Sequence, residues 1–222
     1  MMPTFLTIFS LIDLCLLGWS FSIKDHRPWR LWLLRLMLLG MAYDNFMLSI
    51  ANWAIETSWY REANILRFVF HAASLPFLTL FVLACMRDGA IRIAYNKYFV
   101  AFCFLFTAIA LGYSLFHEVY LLELTIKESW GINRFSSASG IPPLATIFTN
   151  LLIIPMAVII WRKTGWPWLF AGSAFIFIIN GSLAGSQWAL LAGNTAEVLF
   201  ISSLLFTARH FGQAKPIEQS LR

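Results

Sequence analysis

Apolar residues in this chain run in blocks far longer than a soluble helix or strand requires. Seven blocks, at roughly 3–23, 31–54, 64–86, 98–118, 142–162, 167–190 and 193–209, alternate with short stretches that hold most of the charge. About 20 residues of helix are needed to cross the hydrocarbon core of a bilayer. The pattern therefore predicts an all-α fold, a polytopic membrane bundle of seven transmembrane helices forming a single domain over residues 1–222. The opening "MMPTFLTIFSLIDLCLLGWSF" has no basic lead and no small-residue cleavage site, so it reads as a retained helix and not as a signal peptide. The last two spans are expected to meet in a tight turn near Gly193. The one long connection, 119–141, precedes Pro142-Pro143 and is mixed in character, as expected of a segment lying along the interface.

Composition agrees. Of 222 residues 59% are hydrophobic and 12% charged, against about half and a quarter in a soluble domain. The net charge of +5 carries orientation and not nucleic-acid binding, because no basic-aromatic module accompanies it. Lys24, Arg27, Arg30, Arg87, Arg92, Lys97, Arg162, Lys163, Arg209, Lys215 and Arg222 fall on one side of the expected bundle. Only Arg61, Lys127 and Arg134 fall on the other. The positive-inside rule then predicts an outside N-terminus, a cytoplasmic C-terminus and residence in the cell membrane. Cys15, Cys85 and Cys103 lie in apolar runs without a CxxC pair and read as small hydrophobes.

Polar residues inside the spans carry more information. A charge at the bilayer centre costs at least ~2.5–3.5 kcal/mol, so such groups face the bundle interior. "GMAYDNFMLSIANW", residues 40–53, puts Tyr43, Asp44, Asn45 and Trp53 in the outer half of span two. Arg67 and His71, four apart and on one helical face, fall at the same depth in span three. Gln187 joins them from span six, and Asn194 and Glu197, three apart, from the first turns of span seven. Asn150, Asn180 and Asp13 sit near mid-depth, and below them nearly everything is apolar. One cavity in the outer half of the bundle is the expected result. Structural uses compete for the same residues: Asp44 paired with Arg67, His71 bonded to a carbonyl, Asn194 and Glu197 capping span seven, Asn150 and Asn180 bonding between helices. His117, Glu118, Glu56 and Glu123 are expected at a solvated interface, and His26 and His210 in flanking loops.

Several functions are excluded by what the pattern lacks. All five lysines lie in loops or the tail, so no Schiff base can form inside the bundle. Four histidines without HxxxH or HExxH, and no aspartate-rich pair for magnesium and diphosphate, leave no expected metal or other cofactor. An apolar inner half argues against a channel, and the absence of inverted repeats or broken helices against a transporter. A carboxylic acid in an oily, aromatic pocket remains, suited to protonating an alkene or epoxide whose carbocation aromatic faces then hold.

The "YDN" of 43–45, "RFVFHAASLPF" at 67–77 and "GNTAEVLFISSLLFTARH" at 193–210 together resemble the small seven-span membrane terpene cyclases of bacteria, which act on prenylated indoles and related meroterpenoids. The resemblance covers about a third of the chain. It implies metal-free, proton-initiated cyclisation of a linear isoprenoid chain, with an apolar isoprenoid or lipid substrate arriving from the bilayer and membrane lipids as the surroundings. Fungal relatives place a Glu directly after a Trp in an early span, whereas Trp53 and Glu56 here are three apart. The acid role is therefore carried to Asp44, with Glu197 second, and Tyr43, Asn45, Trp53, Arg67, His71, Gln187 and Asn194 are expected to bind substrate. Two other readings fit the same groups: a lysoplasmalogenase-like lipid hydrolase, and a non-catalytic membrane protein that binds a lipid or apolar ligand. The orientation is testable by itself. A C-terminal fluorescent protein should mature in the cytoplasm, and a phosphatase fused there should be inactive; the opposite result would reverse the depths assigned above.

Overall fold

A helix inside a bilayer must satisfy its backbone within itself, and the computed structural model, which describes residues 2–213, is accordingly a bundle of helices. Six are long and apolar enough to cross a membrane: Met2–Ser20 (α1), Pro28–Ser49 (α2), Ser58–Asp88, Lys97–Tyr120, Leu144–Thr164 (α7) and Ala189–Gly212 (α9). A single turn, Ala51–Ala54 (α3), follows α2. Ser58–Asp88 is composite: Ser58–Ser74 (α4) passes through a 3₁₀ turn at Leu75–Phe77 into Leu78–Asp88 (α5). Pro76, which cannot donate to the helix ladder, marks that break. Lys97–Ser114 (α6) likewise ends in a π-helical segment, Leu115–Tyr120. Two of the spans read as unbroken from the sequence are thus interrupted.

The sixth of the seven expected spans is shorter than its apolar block. Trp168–Ser182 (α8) has 15 residues, about 22 Å of helix against a hydrocarbon core of about 30 Å. The stretch that follows folds into turns, with Gly185 at φ 76, a conformation costly for any residue with a Cβ. α8 returns tightly on α9. A Cβ at Gly172 would collide with Ser203, so only glycine lets these backbones approach this closely. α1 packs along α2 in the other extensive helix pair. The core between them is ordinary apolar packing, with Leu34, Leu38, Phe81, Met86, Ile153, Ile160, Leu204 and Leu205 all buried.

The long connection holds the one element outside the helical expectation. Leu124–Ser129 (β1) and Ile132–Ser137 (β2) form an antiparallel hairpin, pairing Ile126 with Phe135 and Glu128 with Asn133. Its two-residue turn, Trp130-Gly131, has positive φ at both positions (53° and 71°), the geometry whose twist suits a tight hairpin. Trp130 is an uncommon residue there, so the usual Asn-Gly signature is missing from the sequence. The hairpin folds over one end of the bundle. Ile132 and Phe135 are buried against Tyr60, Met47, Leu48 and Ala51. The side chain of Asn52 donates to the Gly131 carbonyl at 2.6 Å and accepts from the Asn133 amide at 2.8 Å.

The opposite end is tied by an ionic knot. Arg30, fully buried, forks onto Asp25 with Nε at 2.8 Å and Nη2 at 2.6 Å, while Nη1 reaches Asp88 at 2.6 Å. Arg27 and His26 also reach Asp88, at 3.0 and 3.2 Å. His26 Nδ1 lies 3.1 Å from the Gly212 carbonyl and so joins the end of α9 to the knot. Arg35 bonds Ser20 at the end of α1 and lies over the rings of Phe21 and Trp32. Two of the basic residues counted for orientation, Lys215 and Arg222, lie outside the described residues. Removing one member of a buried ion pair strands its partner and costs ~3–5 kcal/mol. Arg30→Ala should therefore lower the thermal unfolding midpoint of the detergent-solubilised protein sharply, and Arg35→Ala much less. Equal, small losses would show the knot to be dispensable.

Candidate functional site

Under the hairpin, four helices bring polar side chains to one level. α2 presents Tyr43 and Asp44, α4 presents Asn64, Arg67 and His71, the end of α6 presents Tyr113, and α9 presents Glu197. The centre is an ion pair. Arg67 Nε donates to Asp44 Oδ1 at 2.6 Å, and its Nη1 donates to Asn64 Oδ1 at 2.7 Å and to the Phe135 carbonyl of the hairpin at 3.4 Å. One guanidinium thus ties α2, α4 and β2 together. Asn64 is held by its bond to the Tyr60 carbonyl, and Tyr60 by its own to Met47. The structural use of Asp44 is therefore realised.

Two cavities lie at this level, and the ion pair lines the larger. The larger, about 410 Å³, is a polar chamber against the hairpin. Asp44, Arg67, His71, His117, Glu118 and Lys127 reach it, with hairpin serines and Pro142-Pro143 completing the wall. The smaller, about 200 Å³, lies deeper and is mainly apolar, with Met37, Met41, Phe70, Phe200 and Ile201 around Asn150, Asn180 and Glu197. His71 and Pro143 belong to both walls. At that junction His71 Nε2 stands 3.8 Å from Glu197 Oε1, too long for a direct hydrogen bond and within reach of a proton passed through one water.

The sequence expectations are met unevenly. Asp44, Arg67, His71 and Glu197 come together as expected. Tyr43 stands beside them, its hydroxyl bonded to the Ala63 carbonyl at 2.9 Å. Asn45 turns away, donating at 3.0 Å to the buried Asp13 of α1. Asn194 is buried and bonds its own helix at Leu190, without lining either cavity. Trp53 is 82% exposed on α3, and Gln187 lies exposed in the turn between α8 and α9. Span six ends at Ser182, before Gln187 can enter the bundle. α9 starts at Ala189, so Asn194 and Glu197 lie past its first turn and cap nothing. Asn150 donates to Thr146 of its own helix and not across helices.

His117, Glu118 and Lys127 were legible only as interfacial charges. The π-helical segment carries the first two into the chamber, where His117 stacks on Tyr113 at 4.4 Å between ring centroids. Glu118 Oε1 is buried and has no partner among the described residues. Such π segments recur at functional sites, and nothing in the spacing of this stretch marks it, since Tyr113 and His117 stand at the ordinary helical interval of four. On β2, the Nε of Arg134 also lacks a partner among the described residues. Burial first, and repulsion from Arg67 second, hold that guanidinium below the usual arginine range, against the pull of Asp44. Among the described residues no group of three or more His, Cys, Asp and Glu is placed to hold a metal.

No protein-family model, no curated protein and no solved structure matches this chain. The ion pair gives the most direct test of the site's architecture. Loss of one member leaves a largely buried charge unpaired, at a cost of up to ~3–5 kcal/mol, less here because 17% of the Asp44 side chain stays exposed and the pair borders the chamber. Arg67→Ala should destabilise accordingly. Arg67→Lys should recover only part of the loss, since an ammonium cannot fork between Asp44, Asn64 and Phe135. Unfolding midpoints in detergent decide it, and full recovery by lysine would reduce the site to a simple charge pair.

Proposed function

We propose that this membrane protein is a metal-independent terpene cyclase of the meroterpenoid type, with Glu197 as the proton donor. The observation that carries the reading is the place of Glu197: its carboxyl lines an apolar, aromatic-walled slot that meets a polar chamber at His71. A linear isoprenoid chain fits the slot, and its polar head fits the chamber. Asp44 is the weaker candidate of the two, because Arg67 Nε already engages its Oδ1 at 2.6 Å.

In the proposed reaction the Glu197 carboxyl gives its proton to a terminal alkene or epoxide of the chain. A C–H or O–H bond forms, and positive charge develops on carbon. Phe70 and Phe200 in the slot wall offer ring faces to that charge, and neighbouring alkenes close the rings. Loss of a proton from the carbon beside the final cation, back to the carboxylate, restores the acid and leaves an isomer of the substrate. His71 is suited to shuttle the proton between Glu197 and water in the chamber. The same reading places seven crossings in the cell membrane, N-terminus outside and C-terminus cytoplasmic, so that the chamber faces outward.

One observation favours a second reading. The 410 Å³ chamber, lined by His71, His117 and Glu118, gives water a place one residue from Glu197, across His71, as a lysoplasmalogenase-like hydrolase of vinyl ethers would require. Incubating the purified protein with a farnesylated indole and, separately, with a lysoplasmalogen distinguishes them. A product of unchanged mass and new retention time supports cyclisation, and a released aldehyde supports hydrolysis. An unaltered lipid that stays bound supports a binding protein. A positioned acid contributes ~10²–10⁴-fold to rate, so Glu197→Gln should lower cyclisation by about that range while the protein stays folded. Asp44→Asn should act through stability. Abolished turnover in a well-folded Asp44→Asn protein, with Glu197→Gln active, would give the acid role to Asp44.

A further inference from the structure

A third cavity, about 210 Å³, opens between α6 and α7. Phe106, Ile109 and Ala110 line it on one side and Leu144, Ala145 and Phe148 on the other. Ile109 and Phe148 form its outer rim, 63% and 55% exposed on the surface that meets lipid. Ala110 and Ala145, both buried, are the small residues that leave its floor hollow. Its remaining wall is Tyr113, and Tyr113 is also a wall of the polar chamber. One aromatic side chain therefore stands between an oily groove open to the bilayer and the site.

From this juxtaposition we infer that the α6–α7 groove is a lateral portal, gated by Tyr113, through which an amphiphile with one hydrocarbon chain and a compact polar head reaches the site from the membrane. The inference rests on the chamber and slot being the substrate site. Three further features support it. The hairpin roofs the chamber, pinned through Asn52 at its turn, with Trp130 packed on Trp188 at 4.6 Å. A side route suits a ligand already dissolved in lipid. Leu144 in the groove directly follows Pro142-Pro143, and Pro143 borders both chamber and slot, so the path from groove to slot is short. The Tyr113 ring stacks on His117 at 4.4 Å, just before α6 passes into its π-helical segment, so the ring contact that swinging the tyrosine aside gives up is this one. The occupant is the hydrocarbon chain of the substrate in transit.

A farnesyl chain bearing a photoactivated diazirine and an indole head tests this in the full-length protein in lipid nanodiscs, independently of turnover. Labelling mapped by mass spectrometry should fall on Phe106, Phe148 and Tyr113 as well as in the slot. Ala145→Trp fills the groove floor and should slow labelling of the slot by roughly one to two decades. Phe104→Trp, on the lipid face of α6 outside the groove, should leave it unchanged. If Ala145→Trp does not fold, Tyr113→Ala decides: removing the gate should speed labelling, and an unchanged or slower rate overturns the portal. Slot labelling that survives Ala145→Trp at full rate also overturns it, as does a native lipid in the groove that the probe never displaces. Labelling through the groove with no isomer formed from any prenylated substrate would support the portal and overturn the cyclase reading.

Discussion

A buried guanidinium in a bundle of membrane helices must be met by carboxylates or carbonyls, and this bundle is tied at its two ends by two arginines that carboxylates meet. Arg30 gathers Asp25 and Asp88 at one end, and through Asp88 brings in His26 and the end of α9. Arg67 gathers Asp44, Asn64 and the hairpin carbonyl of Phe135 at the other. Between them the packing is apolar and interchangeable. These two forks set which helices meet at each end, and so how deep each polar side chain lies.

The arginine at the hairpin end also sorts the acids. Asp44 is fixed as a counter-ion and Glu197 is not, although both lie at one level of the bundle. That division separates a carboxylate bonded into the architecture from one that faces the apolar slot beside His71. The cavities follow it: the polar chamber collects around the ion pair, and the apolar slot around Glu197.

Much of this was legible in the sequence. Helix existence followed from the apolar blocks, and the Arg67–His71 spacing with Asp44 at the same depth gave the heart of the site. The misses share a cause: hydrophobic pattern locates a helix in the membrane without saying how its ends are finished. Gln187 belonged to an apolar block whose small, glycine-containing tail folds into turns, so it left the bundle. Trp53 followed α2 past its end onto an exposed turn. His117 and Glu118 entered the chamber because α6 closes in π geometry, which no periodicity reveals. Arg30 sat among loop charges that serve equally well to count orientation, and nothing local marked Asp88, 58 residues on, as its partner. The hairpin escaped because Trp130-Gly131 supplies the two positive φ angles without a familiar turn pair.

The order of the partners along the chain has a consequence for biogenesis. Asp44 precedes Arg67 by 23 residues, so the helix carrying the carboxylate is synthesised first and the arginine arrives to a counter-ion already waiting. Arg30 is served in the same way by Asp25, five residues ahead of it. Each cation is thus met first by an acid made before it, and Asp88 joins Arg30 only 58 residues later. For Arg30 and Arg67 the first counter-ion is thus built into the chain ahead of the charge that needs it.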